Sequence, residues 1–341
     1  MNGSIDDALI SGGHPRTQTP VVAVSDLRVS VRTPEAVLDL VRGVSFDIMP
    51  GEILGVVGES GAGKSMIGAA LMGLVDAPLA FGGGVMRHDG RMIALGGEDH
   101  VALRGASIAM IFQDPLTSLN PVFSIGRQLV ETIETHTELR GAAARAEAAA
   151  LLARVGIPAA ETRLDHYPHE FSGGMRQRVV IALALAGRPR LIVADEPTTA
   201  LDVSIQGQII ELLRDLARER GTAVLLITHD MGVIASLADR VAVLYAGRII
   251  EIGPVAEVIR RPLHPYTQGL MLAIPEIGRK RRRLVQIKGA MPHPGRVPAG
   301  CAYQPRCPRA IDACAGGVPP LVGASGHQAA CLRPGAQDAV A

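Results

Sequence analysis

A glycine-rich segment, GESGAGKS at 58–65, constrains the fold of this chain more than any other part of the sequence. It follows the apolar run ILGVV and precedes MIGAALMGLV, whose apolar residues recur at helical spacing. A continuous apolar run is typical of a strand buried on both faces. The order of strand, loop and helix, with the pattern GxxxxGKS/T, predicts a loop whose backbone N–H groups converge on phosphate oxygens.

The residue types of this loop suit a nucleoside triphosphate. Glycines let the backbone approach the phosphates, the charge of Lys64 reaches the β- and γ-phosphates, and the hydroxyl of Ser65 can ligate Mg²⁺. The alternative interpretation is a glycine-rich turn without a ligand. The predicted nucleotide-binding residues of the loop are Gly58, Glu59, Ser60, Gly61, Ala62, Gly63, Lys64 and Ser65.

Two acidic residues, Asp195 and Glu196, follow a second apolar run, LIVA. A phosphate-binding loop needs a carboxylate at the end of a neighbouring strand to hold its metal ion, and Asp195 is predicted to be that Mg²⁺ ligand. Glu196 is predicted to extend towards the γ-phosphate, where it can orient or deprotonate an attacking water. In the alternative interpretation, Glu196 is a solvated residue at a strand end.

The remaining pattern predicts an α/β protein. Short β-type runs between Pro20 and Ile53 predict an antiparallel unit, and the scarcity of strand signals from 114 to 187 predicts a helical insert. After the insert, strand-like and helix-like runs alternate, which predicts a largely parallel sheet flanked by helices. The composition changes near Arg260, where a tail rich in proline, glycine and cysteine begins.

Composition and charge narrow the class of protein further. The 341 residues carry a formal net charge of +1, so nothing indicates binding to nucleic acid through bulk positive charge. No apolar run approaches the roughly 18 residues needed to cross a bilayer, and the N-terminus does not read as a secretory signal. We expect a soluble, cytosolic chain whose first 20 residues form a disordered leader.

Several motifs together resemble those of ATP-binding cassette (ABC) ATPases. The segment FSGGMRQR at 171–178 resembles the signature motif of that family, and the order of the other motifs agrees. Gln113 occupies the place of the Gln loop before the helical insert, and His229 in LITHD matches the histidine of the distal loop. TTALD at 198–202 resembles the loop through which two nucleotide sites communicate, by way of Asp202.

The resemblance implies roles for these residues in ATP hydrolysis. Signature residues would present a hydroxyl and backbone N–H groups to the γ-phosphate of ATP held by an opposite subunit. The predicted contacts of this kind are Ser172, Gly173 and Gly174. The implied catalytic residues are Glu196, His229 and Gln113, and the implied Mg²⁺ ligands are Ser65, Gln113 and Asp195.

Two positions depart from the family pattern. Met175 stands at the end of the signature, where glutamine is usual, and we expect little loss because the phosphate contacts do not depend on that side chain. The first β-segment, LRVSVRTPEAVL, lacks the aromatic residue on which many members stack adenine. Val31 or Arg32 is a candidate to cover the base instead.

Longer segments are similar to sequences of the oligopeptide/dipeptide importer branch of the family. They are QDPLTSLNPVFSIGRQL at 113–129, HYPHEFSGGMRQR at 166–178 and RPLHPYTQGLMLAIP at 261–275. This resemblance implies an ATPase subunit for peptide import, peripheral to the cytoplasmic face of the inner membrane. It also implies two transmembrane permeases, a sister ATPase forming a heterodimer, an extracytoplasmic substrate-binding protein, and no nucleic acid. The competing classes are a soluble cassette ATPase acting on nucleic acid and a regulatory nucleotide binder without turnover.

The implied fold is an α/β P-loop NTPase of the ABC ATPase type. It has a mixed, largely parallel sheet core, an antiparallel β subdomain, a helical insert and a C-terminal cysteine-containing extension. The predicted units are the leader at 1–20, a nucleotide-binding domain at 21–258 with its helical subdomain at about 114–187, and the extension at 259–341. The basic run RKRRR at 279–283 is interpreted as a solvated face, or as a contact with anionic lipid or a partner subunit.

All four cysteines lie in the tail, separated by five, six and sixteen residues: Cys301, Cys307, Cys314 and Cys331. In a reducing cytosol such a cluster favours metal ligation over disulfides. The CxxC spacing typical of zinc ribbons is absent, and wider gaps suit a larger cluster. Because tails of this type in the importer branch hold [4Fe–4S], we predict an iron–sulfur cluster, with zinc or four metal-free buried thiols as alternatives.

Overall fold

Two β-sheets organise the computed structural model, which describes residues 18–198, 203–274, 286–324 and 326–335. The first sheet is antiparallel along all its pairings and has the strand order β2-β1-β4-β5. Its strands are β1 (Val22–Arg32), β2 (Val37–Ile48), β4 (Leu79–His88) and β5 (Arg91–Ile93). This sheet confirms the antiparallel unit predicted from the alternating pattern.

The second sheet has eight strands in the order β11-β12-β10-β9-β3-β8-β7-β6. Its central strands, from β9 to β6, are parallel, and β10, β12 and β11 are added antiparallel at one edge. The strands are β3 (Ile53–Val57), β6 (Ile108–Ile111), β7 (Leu191–Asp195), β8 (Ala223–Ile227), β9 (Arg240–Tyr245), β10 (Arg248–Pro254), β11 (Val322–Ala324) and β12 (His327–Ala329). The mixed, largely parallel core is therefore confirmed.

Helices occupy the connections between these strands. The five helices α3 to α7 separate β6 from β7, and the described residues between those two strands form no β-strand. The helices are α1 (Lys64–Leu71), α2 (Glu98–Ala102), α3 (Pro115–Ser118), α4 (Ile125–His136), α5 (Gly141–Arg154), α6 (Ala160–Arg163), α7 (Gly173–Ala186), α8 (Val203–Arg220), α9 (Met231–Leu237), α10 (Val255–Arg260) and α11 (Pro265–Ala273).

The core lies on both faces of the second sheet. Every residue of β3, β7 and β8 is buried, because both faces are covered. Alternate residues of one strand enter different apolar clusters: Ile53 and Val57 pack with the helical insert, whereas Leu54 and Val56 pack with α1 and the antiparallel sheet. Thus the carboxyl ends of the parallel strands are held rigidly between two layers.

The C-terminal extension completes the second sheet, which the sequence pattern did not predict. Glu251 and Ile252 of β10 pair with Ala329 and Gln328 of β12, and β11 then pairs with β12. Glu251 has no exposed surface, and its carboxylate accepts hydrogen bonds from the backbone N–H groups at 263 and 264. The strands β11 and β12, which lie beyond residue 258, therefore extend the sheet formed by the earlier residues.

Some predictions concern residues outside the described ranges. These are the leader up to residue 17, Asp202 and the basic run at 279–283. Across the ranges that the structure does describe, no helix combines the length and the apolar character required to span a bilayer.

Candidate functional site

The loop 58–65 joins β3 to α1, as its sequence context predicts. Gly61 and Gly63 have φ of +82° and +101°, a region that favours glycine. A Cβ on Gly63 would lie 2.9 Å from the carbonyl oxygen of Leu40, and one on Gly58 would overlap the carbonyl oxygen of Leu244. Close backbone approaches therefore exclude a side chain at both Gly58 and Gly63.

Lys64, at the start of α1, is held by the loop itself. Its ammonium donates hydrogen bonds to the carbonyl oxygens of Gly58 (2.7 Å) and Glu59 (3.1 Å). The side chain is buried, with the residue 7% exposed, and this burial lowers the pKa of Lys64, although nearby carboxylates act to raise it. A cation in a partly desolvated position attracts phosphate more strongly than the same cation in water.

Ser65 and Asp195 meet at the junction of the loop and the end of β7. The hydroxyl of Ser65 donates to Oδ1 of Asp195 at 3.1 Å. Burial raises the pKa of Asp195, and the hydrogen bond from Ser65 acts in the opposite direction. The structure therefore brings together two of the three predicted Mg²⁺ ligands.

Glu196 lies between the other two predicted catalytic side chains. Its Oε2 accepts a hydrogen bond from Nε2 of Gln113 at 3.1 Å, and its Oε1 lies 3.1 Å from Nδ1 of His229. The backbone of Glu196 has φ of +48°, an uncommon conformation for a residue with a side chain, and its N–H donates to the carbonyl of Ile227. The carboxylate is thus oriented by contacts from the ends of two neighbouring strands.

Most of these residues line one cavity of about 770 Å³, whereas Asp195 does not. The predicted site residues among its walls are Ser60, Gly61, Gly63, Lys64, Ser65, Gln113, Glu196 and His229. A carboxylate, a histidine and a lysine next to a phosphate-binding loop can bind a triphosphate and activate water beside it. Their individual roles stay predictions.

The cavity also has walls that sequence analysis missed. They are Asp39, Leu40, Met66, Ala246, Gly247, Pro292, Pro294 and Val297. Residues 292–297 reach the site because a short turn at 294–296 packs on β2, where a Cβ on Gly295 would lie 3.4 Å from Leu38. No local motif marks these residues. Neither Val31 nor Arg32, the candidates to cover the base, lines the cavity.

The signature residues lie elsewhere. Ser172 caps the N-terminus of α7, where its Oγ accepts from the N–H of Met175 at 3.3 Å, and neither Ser172 nor Gly174 lines the cavity. A Cβ on Gly174 would lie 2.9 Å from Ile205 of α8, so close helix packing requires this glycine. Met175, the departure from the family pattern, packs against the core.

The four cysteines converge although they are distant in sequence. Cys301, Cys307, Cys314 and Cys331 line one small cavity of about 20 Å³, together with Arg309. Burial raises the pKa of the Cys301 and Cys307 thiols, and the other cysteines raise it further. Two guanidinium nitrogens of Arg309 are buried without a hydrogen-bond partner. Within the described ranges, no group of three or more His, Cys, Asp or Glu residues is placed so that it could hold a metal ion.

Two family models match this chain. The model described as "ABC transporter" matches residues 41–199, and "Oligopeptide/dipeptide transporter, C-terminal region" matches residues 250–314. The first match contains the phosphate loop and the acidic strand end. The second contains three of the four cysteines.

Curated relatives agree over nearly the whole chain. The oligopeptide transport ATP-binding protein OppD of Salmonella typhimurium is 45% identical over 321 residues, which cover 94% of this chain and 96% of the relative. The oligopeptide transport ATP-binding protein AppD of Bacillus subtilis is 43% identical over 304 residues, covering 89% of this chain and 93% of the relative.

Solved structures agree on the fold. A dimeric, post-hydrolysis structure of the ATP-binding cassette MJ0796 bound to ADP and Pi superposes with a TM-score of 0.60 at 28% identity, covering 69% of this chain and 98% of that chain. CbiO1 from Clostridium perfringens, part of the ABC transporter complex cbiONQ, gives a TM-score of 0.62 at 26% identity, covering 71% and 92%. This chain belongs to the ABC transporter ATPases, in the oligopeptide/dipeptide branch of that family.

Proposed function

We propose that this chain binds and hydrolyses ATP to power the import of di- or oligopeptides through an ABC transporter. The observation that carries this proposal is the convergence of the phosphate loop, Gln113, Glu196 and His229 on one cavity. The carboxylate of Glu196, oriented in this cavity, favours an ATPase over a regulatory protein that binds nucleotide without hydrolysing it. The peptide cargo is proposed because the OppD and AppD relatives are oligopeptide transport ATP-binding proteins.

Hydrolysis is assigned to the chain's own side chains as follows. Lys64 binds the β- and γ-phosphates, and the loop N–H groups at the start of α1 position them. Glu196 accepts a proton from the attacking water, and its contacts with Gln113 and His229 hold the carboxylate in place. His229 is also assigned a hydrogen bond with the γ-phosphate.

Ser65, Asp195 and Gln113 fit the ligand set of Mg²⁺. They offer a hydroxyl, a carboxylate and an amide oxygen, and hard oxygen ligands are those that Mg²⁺ prefers. The hydroxyl and the carboxylate already meet at 3.1 Å. When bound, the cation supplies positive charge that neutralises phosphate oxygens.

A second ATPase subunit is proposed to complete the site. Ser172, Gly173 and Gly174 stand at the N-terminus of α7, where free N–H groups attract anions. We assign them to the γ-phosphate held by a facing sister ATPase, and Asp202 to communication between the two sites. The resulting heterodimer docks on two permeases at the cytoplasmic face of the inner membrane, with an extracytoplasmic binding protein delivering the cargo and no nucleic acid involved.

The adenine base is proposed to lie against an apolar wall rather than an aromatic ring. Leu40, Ala246, Pro292, Pro294 and Val297 supply apolar surface to the cavity. Burying the flat faces of the base against such side chains is favourable because it removes apolar area from water. We propose that the chain divides into a nucleotide-binding domain (21–258, helical subdomain about 114–187) and an extension (259–341). One wall of the site then belongs to the extension.

Purification from its native cells separates the importer proposal from the competing soluble ATPase. We expect the chain to co-purify with integral membrane proteins, and the ATPase activity of that complex to rise when peptide-loaded binding protein is added. For comparison, nucleic acid is added in place of the peptide-loaded binding protein. Recovery with nucleic acid, or activation by it alone, would contradict the proposal.

The four cysteines are proposed to hold a [4Fe–4S] cluster. Thiolates are the ligands of such clusters, and the buried Arg309 guanidinium offers positive charge beside four thiolates. A cluster needs more room than about 20 Å³, so loading must move the thiols outward. Within the described ranges, the present arrangement of the thiols supports neither a cluster nor a single zinc ion, the alternative considered from sequence.

Anaerobic purification tests the cluster. We expect visible iron–sulfur absorbance, with iron and acid-labile sulfide in equal amounts, and we expect Cys307→Ser to remove most of it because one ligand is lost. Ala302→Ser, which changes a neighbouring residue that does not line the cysteine cavity, is the control and should keep its colour. A colourless wild-type protein with stoichiometric zinc would reverse the assignment.

A further inference from the structure

Glu59 connects the phosphate loop to the C-terminal extension. It occupies a position that the loop pattern leaves open, yet each of its polar groups has a partner. Its carbonyl accepts from Lys64, its N–H donates to the hydroxyl of Tyr266 at 2.9 Å, and its carboxylate accepts two hydrogen bonds from Arg306, at 2.9 Å and 3.1 Å. The conformation at the start of the loop is thus fixed by residues more than 200 positions away.

Arg306 is itself held rigidly. Its Nε donates to the carbonyl of Lys288 at 2.8 Å, and its Nη2 and Nη1 donate to the carbonyl of Gly289 and the hydroxyl of Tyr245, each at 3.3 Å. Its side chain is only 7% exposed, against 28% for that of Glu59. A two-point guanidinium–carboxylate pair in such a setting fixes geometry as well as charge.

Three of the four tyrosines of the chain support this pair. Tyr245, Tyr266 and Tyr303 pack edge to face, with ring centroids 4.8 to 5.5 Å apart. The guanidinium carbon of Arg306 lies 5.8 Å and 5.9 Å from the ring centroids of Tyr245 and Tyr303. Tyr245 lies on β9, whereas Tyr266 of α11 and Tyr303 both belong to the extension, so the three rings join the extension to the second sheet.

The negative charge of Glu59 has to be neutralised if the neighbouring loop is to bind ATP. Ser60, its neighbour, lines the cavity, whereas Glu59 does not. A carboxylate this close to bound phosphates opposes binding by like-charge repulsion unless a cation neutralises it. Arg306 is the cation placed to do so.

We propose that Arg306 is a positioning residue for ATP. It holds the carboxylate of Glu59 in place and neutralises its charge, so that the phosphate loop keeps the conformation and the charge that favour phosphate binding. This inference rests on the proposed function of the loop. It assigns to the C-terminal extension a part in nucleotide binding that is independent of whether the cysteines hold a metal group.

A double-mutant cycle tests the proposal. ATP binding is measured on the purified full-length chain, and KM and the turnover number are measured on that chain together with its ATPase partner. We expect Arg306→Gln to weaken ATP binding about tenfold and to raise KM for ATP by a similar factor, because it leaves the carboxylate unpaired. The turnover number at saturating ATP should change by less than about threefold, since the Glu196 centre is untouched. Glu59→Gln is the second single variant of the cycle. R306Q/E59Q should bind ATP more tightly than R306Q, to within about threefold of wild-type affinity, because the repulsive charge is gone.

Three further measurements make the outcome decisive. Arg91→Gln breaks an exposed arginine–carboxylate pair with Asp99, and neither residue lines the ATP cavity, so ATP affinity should be unchanged. If R306Q fails to fold by circular dichroism, Arg306→Lys replaces it, with an expected loss of about threefold because the two-point contact is lost. Wild-type affinity in either variant, or no recovery in the double mutant, would overturn the inference, and a wild-type chain that binds no ATP would overturn the proposed function as well.

Discussion

Replacement of Glu196 by glutamine is expected to stop ATP turnover while ATP binding persists. Glutamine has the shape of glutamate and can still contact Gln113 and His229, which lie 3.1 Å from the two carboxylate oxygens. It cannot accept the proton of the attacking water, and loss of a positioned general base lowers rates by about 10²- to 10⁴-fold. Phosphate release and equilibrium ATP binding, measured on the same preparation, separate the two effects.

The same variant tests the two-sided binding of ATP. Because uncleaved ATP keeps its γ-phosphate, we expect Mg-ATP to hold E196Q together with its ATPase partner, which size-exclusion chromatography detects. Glu147→Gln, which alters an ion pair with the exposed Arg188, is the matched control and should hydrolyse ATP normally. Wild-type turnover in E196Q would remove Glu196 as the base, and an unassociated chain would contradict the assignment of Ser172–Gly174 to a neighbouring nucleotide.

Lys64→Ala is expected to weaken ATP binding by about 10- to 100-fold, the cost of losing charged hydrogen bonds to phosphate. The buried ammonium donates to the carbonyls of Gly58 and Glu59, so its removal also frees the start of the loop. Isothermal titration with ATP and with ADP measures the loss, which should be larger for ATP because the γ-phosphate is a direct partner.

Two controls accompany that measurement. Lys288→Ala removes a lysine that does not line the cavity and should keep its affinity for ATP. The thermal midpoint of Lys64→Ala in the absence of nucleotide shows whether the chain still folds. An unchanged dissociation constant for ATP in a folded K64A protein would contradict the role assigned to Lys64.

The sequence predicted those parts of the architecture in which a local hydrophobic pattern determines the position of a strand. The strand before the phosphate loop and the strand before Asp195 are both continuous apolar runs, and such runs are recognisable because parallel strands are covered on both faces. Their carboxyl ends meet at one edge of a sheet, so Ser65 and Asp195 come together as expected. Gln113 and His229 follow β6 and β8 and reach the same edge.

What could not be predicted depends on contacts between distant segments. Glu59 and Arg306 are separated by 247 positions, and no periodicity connects them. The apolar wall formed by Pro292, Pro294 and Val297 arises from the path of a chain without regular structure. The sequence predicted a metal group in a tail rich in proline, glycine and cysteine. Tyr303 and the Arg306 ion pair anchor that tail through packing and charge as well.

The pairing of β12 with β10 has a consequence for any shortened form of this chain. A protein ending near residue 258 would expose the outer backbone groups of β10, and an uncovered strand edge is a template for intermolecular association. It would also lose His327, whose Nε2 lies 2.8 Å from the fully buried carboxylate of Glu251. The last strands of the sheet thus cover an edge that would otherwise favour self-association of the chain.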